Sequence, residues 1–147
     1  MDNKKGKLKG SIPTGLNAKG TLKGVDKSEK FFSCLADKNR LRILNILCIY
    51  GCALITDLTN IFEFTRTKTI RHLQYLMMHG IIAKNSHGDL FQIYYLKNYR
   101  KLIKDILQEI NDLQLVDDKA KYIELYKNKD LSINRIPEKQ LKKYNKE

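Results

Sequence analysis

Residues 55–96 read ITDLTNIFEFTRTKTIRHLQYLMMHGIIAKNSHGDLFQIYYL, and the spacing of apolar positions changes within that stretch. Ile55, Leu58 and Phe62 recur at i, i+3 and i+7, one face of a short helix. Glu63-Phe64 interrupts it. Thr65 supplies an N-cap for the next helix, whose inward stripe is Thr69, Leu73, Leu76 and Met77, closed by Gly80. Beyond Gly80 the spacing becomes that of strands. Ile81–Asn85 and Leu90–Leu96 are rich in Ile, Phe and Tyr, and Ser86-His87-Gly88-Asp89 supplies a turn between them.

Outward from this stretch the chain is helical. Phe31, Phe32 and Leu35 predict a short first helix over Ser28–Leu35. Asp37 can cap a second helix with Leu41, Leu44, Leu47 and Cys48 on one face, ended by Gly51. Downstream, Tyr99, Ile103, Ile106, Ile110 and Leu113 recur at steps of four, three, four and three, a coiled-coil seam along one helix from Asn98 to Leu115. Leu102 and Leu107 widen that stripe. A shorter helix over Lys119–Lys127 carries Tyr122, Ile123 and Tyr126. Residues 1–25 alternate Lys and Gly without a period and read as a flexible basic leader. Residues 129–147 read as a polar, basic, loosely held tail, which leaves 26–128 as the folded domain. The fold class is mostly α with a β-hairpin.

The 147 residues are 42% apolar, enough to bury a core without disulfide or metal staples. The longest apolar run, Ile43–Ile55, contains Asn45 and Gly51 and is far shorter than the roughly 20 residues of a membrane span. No apolar segment follows the basic start, so a cytoplasmic protein is expected. Three cysteines make no disulfide framework there. Cys34 and Cys48 fall on apolar faces, where Cys behaves as a small hydrophobe, while Cys48 and Cys52 straddle Gly51 and leave open a redox pair or half a metal site. His72 and His79 lie two turns apart with no third ligand nearby. No Ser-His-Asp set, paired carboxylates or phosphate-binding glycine loop is present. A non-enzyme without cofactor or metal is the expectation.

Formal charge is +12, but its placement says more than its size. Residues 1–30 hold +5 and 127–147 hold +4, whereas 31–97 hold +4 and 98–126 hold −1. From Phe64 to Gly88 there is no acidic residue, and Arg66, Lys68, Arg71, Lys84 and all three histidines fall there. Two short helices joined by Glu63-Phe64, the second basic, form a helix-turn-helix, and the hairpin after it is a wing. In such a unit the third helix buttresses the fourth, which offers its N-terminal turn to the major groove of duplex DNA. Arg66, Thr67, Ile70 and Arg71 point outward, with Lys68 at the edge. Arginine suits bidentate contact to guanine O6 and N7, and Ile70 suits a thymine methyl. Thr65 and Lys68 suit phosphates, and Lys84 and His87 of the wing suit backbone or minor groove. The plainer alternative is a basic surface helix that binds no DNA.

Leu35-Ala36-Asp37-Lys38-Asn39-Arg40-Leu41-Arg42-Ile43-Leu44 resembles the LADPTRLRIL opening of the ArsR/SmtB winged-helix repressors. Arg71-His72-Leu73, followed by Leu76, Gly80, Ile81 and Ile82, resembles their SRHLxxLxxxGLV recognition helix, and Tyr94-Tyr95-Leu96 their YYRL strand. The resemblance spans roughly Phe31 to Leu113. It implies a homodimer paired through its first and fifth helices, a pseudo-palindromic operator and repression, and it places His72 near DNA or in the packing beneath. The chain departs from the family where metals are sensed. The ELCVCDL box reads Cys52-Ala53-Leu54-Ile55-Thr56-Asp57-Leu58, so Leu54 and Thr56 stand at the thiolate positions. No histidine lies beyond His87 for a zinc site between fifth helices. Glu63 replaces the turn glycine and Leu54 the usual Ser/Thr cap. The reading is therefore a homodimeric DNA-binding repressor whose seam Tyr99, Ile103, Ile106, Ile110 and Leu113 faces its partner. Two alternatives stand beside it: a protein-interaction module on the same scaffold, or a thiol- or metal-responsive repressor using Cys48 and Cys52.

Overall fold

Asp37 and Thr65 start the two helices on which the scaffold depends. The computed structural model describes residues 22–88, 90–110 and 112–145. Helices α1 (Val25–Leu35) and α2 (Lys38–Tyr50) lead to a short strand β1 (Cys52–Ala53), then α3 (Ile55–Phe62) and α4 (Arg66–Met78). Strands β2 (Ile82–His87) and β3 (Phe91–Leu96) precede α5 (Arg100–Ile110) and α6 (Leu113–Lys127). A 3-10 turn (Ser132–Arg135), α7 (Glu138–Leu141) and a second 3-10 turn (Lys142–Asn145) close the described chain. The Asp37 carboxylate accepts the Asn39 and Arg40 backbone N–H at 2.8 and 3.0 Å, and Thr65 Oγ1 accepts the Lys68 N–H at 3.1 Å. Gly51, at φ 89°, ends α2.

Helix α2 is the centre of the core. Ile43, Leu44, Ile46 and Leu47 are wholly buried, joined by Leu58 of α3, Leu73 and Leu76 of α4, Ile93 of β3 and Ile103 of α5. The sheet has three antiparallel strands in the order β1-β3-β2. Its hairpin keeps register as far as His87 opposite Phe91, so Ser86 and His87 belong to the ladder rather than to the expected turn. Strand β1 was not expected, because two residues display no alternation.

The long helix expected over 98–115 is two helices. Asp112 accepts the Gln114 N–H at 2.7 Å and caps α6, an Asx preference that competes with helix continuation. The seam loses its phase as a result. Tyr99 stands before α5 at φ 66°, its ring edge-on to Phe31 at 4.9 Å, and Ile103 is buried, so both pack within the chain instead of on a partner. Ile106 is half-buried, Ile110 is 40% exposed, and Leu113, 74% exposed, opens the following helix.

The segment beyond Asn128 is also not a loose tail. Leu131, Ile133, Ile136 and Tyr144 are buried in the main core. Asp57, 1% exposed, accepts the Ser132 and Ile133 N–H at 2.6 and 2.9 Å. Burial pushes the Asp57 carboxyl up, against those two N–H groups and the Ser132 hydroxyl, which favour its ionised form. The Arg100 guanidinium donates to Cys48 O at 2.9 Å and Tyr144 O at 2.7 Å. A Cβ on Gly51 would stand 3.0 Å from Tyr144 O, so glycine serves both the turn and the close approach of this strap. At the other end of the chain, α1 begins at Val25, before the expected Ser28, and Leu22 packs on the core. The rest of the expected leader, 1–21, lies outside the described residues.

Candidate nucleic-acid interface

The turn between α3 and α4 is fixed by its neighbours. Glu63 adopts φ 59°, ψ 38°, the left-handed conformation that glycine reaches without strain, with its exposed carboxylate 3.6 Å from Lys121 Nζ. Phe62 and Phe64 pack with ring centroids 5.2 Å apart. The Arg42 guanidinium lies 4.9 Å from the first ring and 5.3 Å from the second. The same guanidinium donates to both carboxylate oxygens of buried Asp118 at 2.8 and 2.9 Å. One arginine thus ties α2, the turn and α6 together. Lys68 Nζ covers the other part of Phe64 at 4.2 Å from the ring centroid.

On this mount, Thr65, Arg66, Thr67 and Arg71 are exposed, and Lys68 and Ile70 half-buried. Gln74, also exposed, continues the Arg66–Ile70 row by another four residues and was missed in the sequence, although the spacing carries it. Lys84 is exposed on β2 opposite Tyr94, and His87 is half-buried near the hairpin tip. Burial pushes the Tyr94 phenol up, and the Arg66 charge opposes it.

His72 departs from its expected place on that surface. It is 9% exposed, and its ring lies 6.3 Å from that of Phe64. Burial lowers its pKa, as do the charges of Arg40, Arg71 and Lys68, while Asp37 works the other way. The packing alternative describes it. His79 caps α4 with its ring edge-on to Tyr75 at 4.7 Å. Arg40 is structural as well: it donates to Cys34 O at 2.8 Å and Ser33 O at 3.0 Å, satisfying carbonyls at the end of α1, and stacks 4.2 Å over Tyr75.

No family model matches the chain. Over 62 residues it is 42% identical to the arsenical resistance operon repressor of Bacillus subtilis (strain 168), an alignment covering 42% of this chain and 59% of that protein. Two solved structures share its fold. Reduced HlyU from Vibrio cholerae N16961 superposes with a TM-score of 0.54 at 18% identity, over 59% of this chain and 92% of that one. The homodimeric winged helix-turn-helix DNA-binding domain of a possible ArsR-family transcriptional regulator from Mycobacterium bovis gives 0.50 at 18%, over 82% and 90%. The domain has the winged helix-turn-helix fold. This chain spans under two thirds of the length of the Bacillus relative.

The two positions at the edge of α3 where the resemblance implies thiolates, Leu54 and Thr56, have another use here. Leu54 is buried, and Thr56 Oγ1 meets Ser132 Oγ at 2.9 Å, next to the Asp57 contacts with the strap. Cys34, Cys48 and Cys52 are buried. Burial pushes the Cys34 thiol up to about 11 and the Cys52 thiol up to about 12, with nearby Arg40 and Arg100 only partly offsetting it. Both are thiols rather than nucleophilic thiolates at neutral pH. Among the described residues, no three His, Cys, Asp or Glu side chains gather as a metal site.

Proposed function

We propose that the chain binds duplex DNA as a homodimeric transcriptional repressor. One observation carries this reading: the start of α4 presents an exposed cationic turn, with no acidic residue from Phe64 to Gly88, on a mount clamped by Arg42 and Asp118, and the wing that follows exposes Lys84. Arg66, Thr67, Lys68 and Arg71 read the major groove, Ile70 meets a thymine methyl, and Thr65, Lys84 and His87 hold phosphates or the minor groove. The name of the Bacillus relative and the homodimeric Mycobacterium domain support the same direction.

The partner-facing surface is redrawn from the sequence expectation. Ile106, Ile110 and Leu113 remain available to a second copy, joined by Phe32 of α1 and Leu102 of α5, which are exposed apolar side chains. A two-fold pair of α4 helices requires a pseudo-palindromic operator. Such a regulator works in the cytoplasm beside its DNA and needs no catalytic step.

The test is binding to the chain's own promoter region over a range of salt. Steep loss of affinity with salt is expected, and little affinity at low salt favours the interaction-module alternative. Arg66→Ala and Arg71→Ala are each expected to cost about 1–3 kcal/mol of operator binding. Unchanged affinity in both variants removes α4 as the recognition helix.

A further inference from the structure

We propose that the C-terminal strap is a second phosphate-contacting surface, a basic shelf on the far face of the wing that extends the protein's grip along the DNA backbone. The proposal rests on the DNA-binding reading above. Strand alternation divides the wing into two faces. Ile82, Lys84 and Ser86 pair with Leu96, Tyr94 and Gln92 on one face, with Ser86 at the rim near the tip. Ala83, Asn85 and His87 pair with Tyr95, Ile93 and Phe91 on the other.

The strap occupies that other face. The Tyr144 ring packs 4.9 Å from Tyr95, and its hydroxyl accepts from Asn85 Nδ2 at 3.2 Å. Arg100 holds the Tyr144 carbonyl, and Asp57 holds the strap's first turn. With both ends anchored, the lysines between them have a defined position. A concavity of about 560 Å³ separates strap and wing, lined by Asn85, Ser86, His87, Lys139, Gln140 and Lys143, together with Tyr144. Among the described residues, no acidic side chain lines it. Glu138, the one acid between residues 131 and 145, accepts from Tyr126 Oη at 3.1 Å on α6. Lys139, Lys142 and Lys143 are exposed.

A polar, cationic groove beside a wing suits the phosphates of duplex DNA better than an apolar ligand or a protein anchor, which need buried apolar contact. Lysine ammonium groups act there as mobile point charges that follow a backbone without reading bases. The wing then has cations at both faces, its own Lys84 on one and Lys139 and Lys143 of the strap at the other.

The experiment compares the full-length chain with its Lys139→Gln/Lys143→Gln variant on mixed-sequence duplex DNA across several salt concentrations. Each phosphate contact contributes about 0.9 to the slope of log affinity against log salt, so the variant's slope should be shallower by about 2. A Lys119→Gln/Lys127→Gln variant removes the same charge from α6 and should leave the slope nearly unchanged. If the parent binds steeply and the shelf variant matches it, or if the α6 variant lowers the slope equally, the shelf is overturned while DNA binding stands. If the parent binds no duplex DNA at low salt, the DNA-binding reading falls and the shelf with it.

Discussion

Two surfaces of this small domain carry its useful charge, and they are held in place by opposite means. Helix α4 is fixed by rules written into adjacent residues: Thr65 caps it, its apolar stripe repeats at helical spacing, and Gly80 follows its end at φ 75°. The strap over 131–145 has little such grammar. It stays in place because Asp57, Gly51, Asn85 and Arg100, distant in sequence, each offer it a contact. A surface can be equally ordered whether its instructions are local or scattered, but only the first kind announces itself along the chain.

The largest effect is expected at the clamp beneath α4. Asp118→Ala leaves Arg42 without its bidentate partner, and about 3–5 kcal/mol of stability should be lost, seen as a lower urea midpoint. A smaller effect is expected on the other side. Gly51→Ala places a methyl against the Tyr144 carbonyl at φ 89° and should cost at least about 1 kcal/mol. Limited proteolysis should then cut within 131–145 while 66–78 stays protected; equal cutting of both segments breaks the distinction between local and scattered support.

The mildest expectation concerns pH. His72 titrates below its ordinary value of 6.5 in the folded chain, chiefly through burial. The unfolded chain therefore binds more protons on acidification, and stability present above that value is lost as pH falls through the folded one. His72→Gln should flatten this part of the stability profile. A slope identical to the parent's assigns it to other groups.

The winged helix itself was legible, because capping residues, glycine stops and two changes of period mark it. The exposed positions from Thr65 to Arg71 followed from helical geometry alone. What escaped the sequence had a physical cause in each case. His72 lies on α4 among outward residues, yet its ring turns under Phe64, which no spacing rule reveals. The seam from Tyr99 to Leu113 kept a heptad rhythm across a boundary set by one aspartate, so rhythm was mistaken for continuity. Leu131, Ile133 and Ile136 are scattered apolar residues among charges, and only the three-dimensional core shows where they go.

Cys34 and Cys52 sit at opposite kinds of joint, one beneath α1 and the other in β1, just after the glycine over which Tyr144 passes. Buried and protonated, they are shielded from alkylating reagents for as long as these joints stay shut. Modification of Cys34 would mark the moment α1 lifts, and modification of Cys52 the opening of the β1 junction. The chain thus contains two silent clocks, which time separate local openings without any label being introduced.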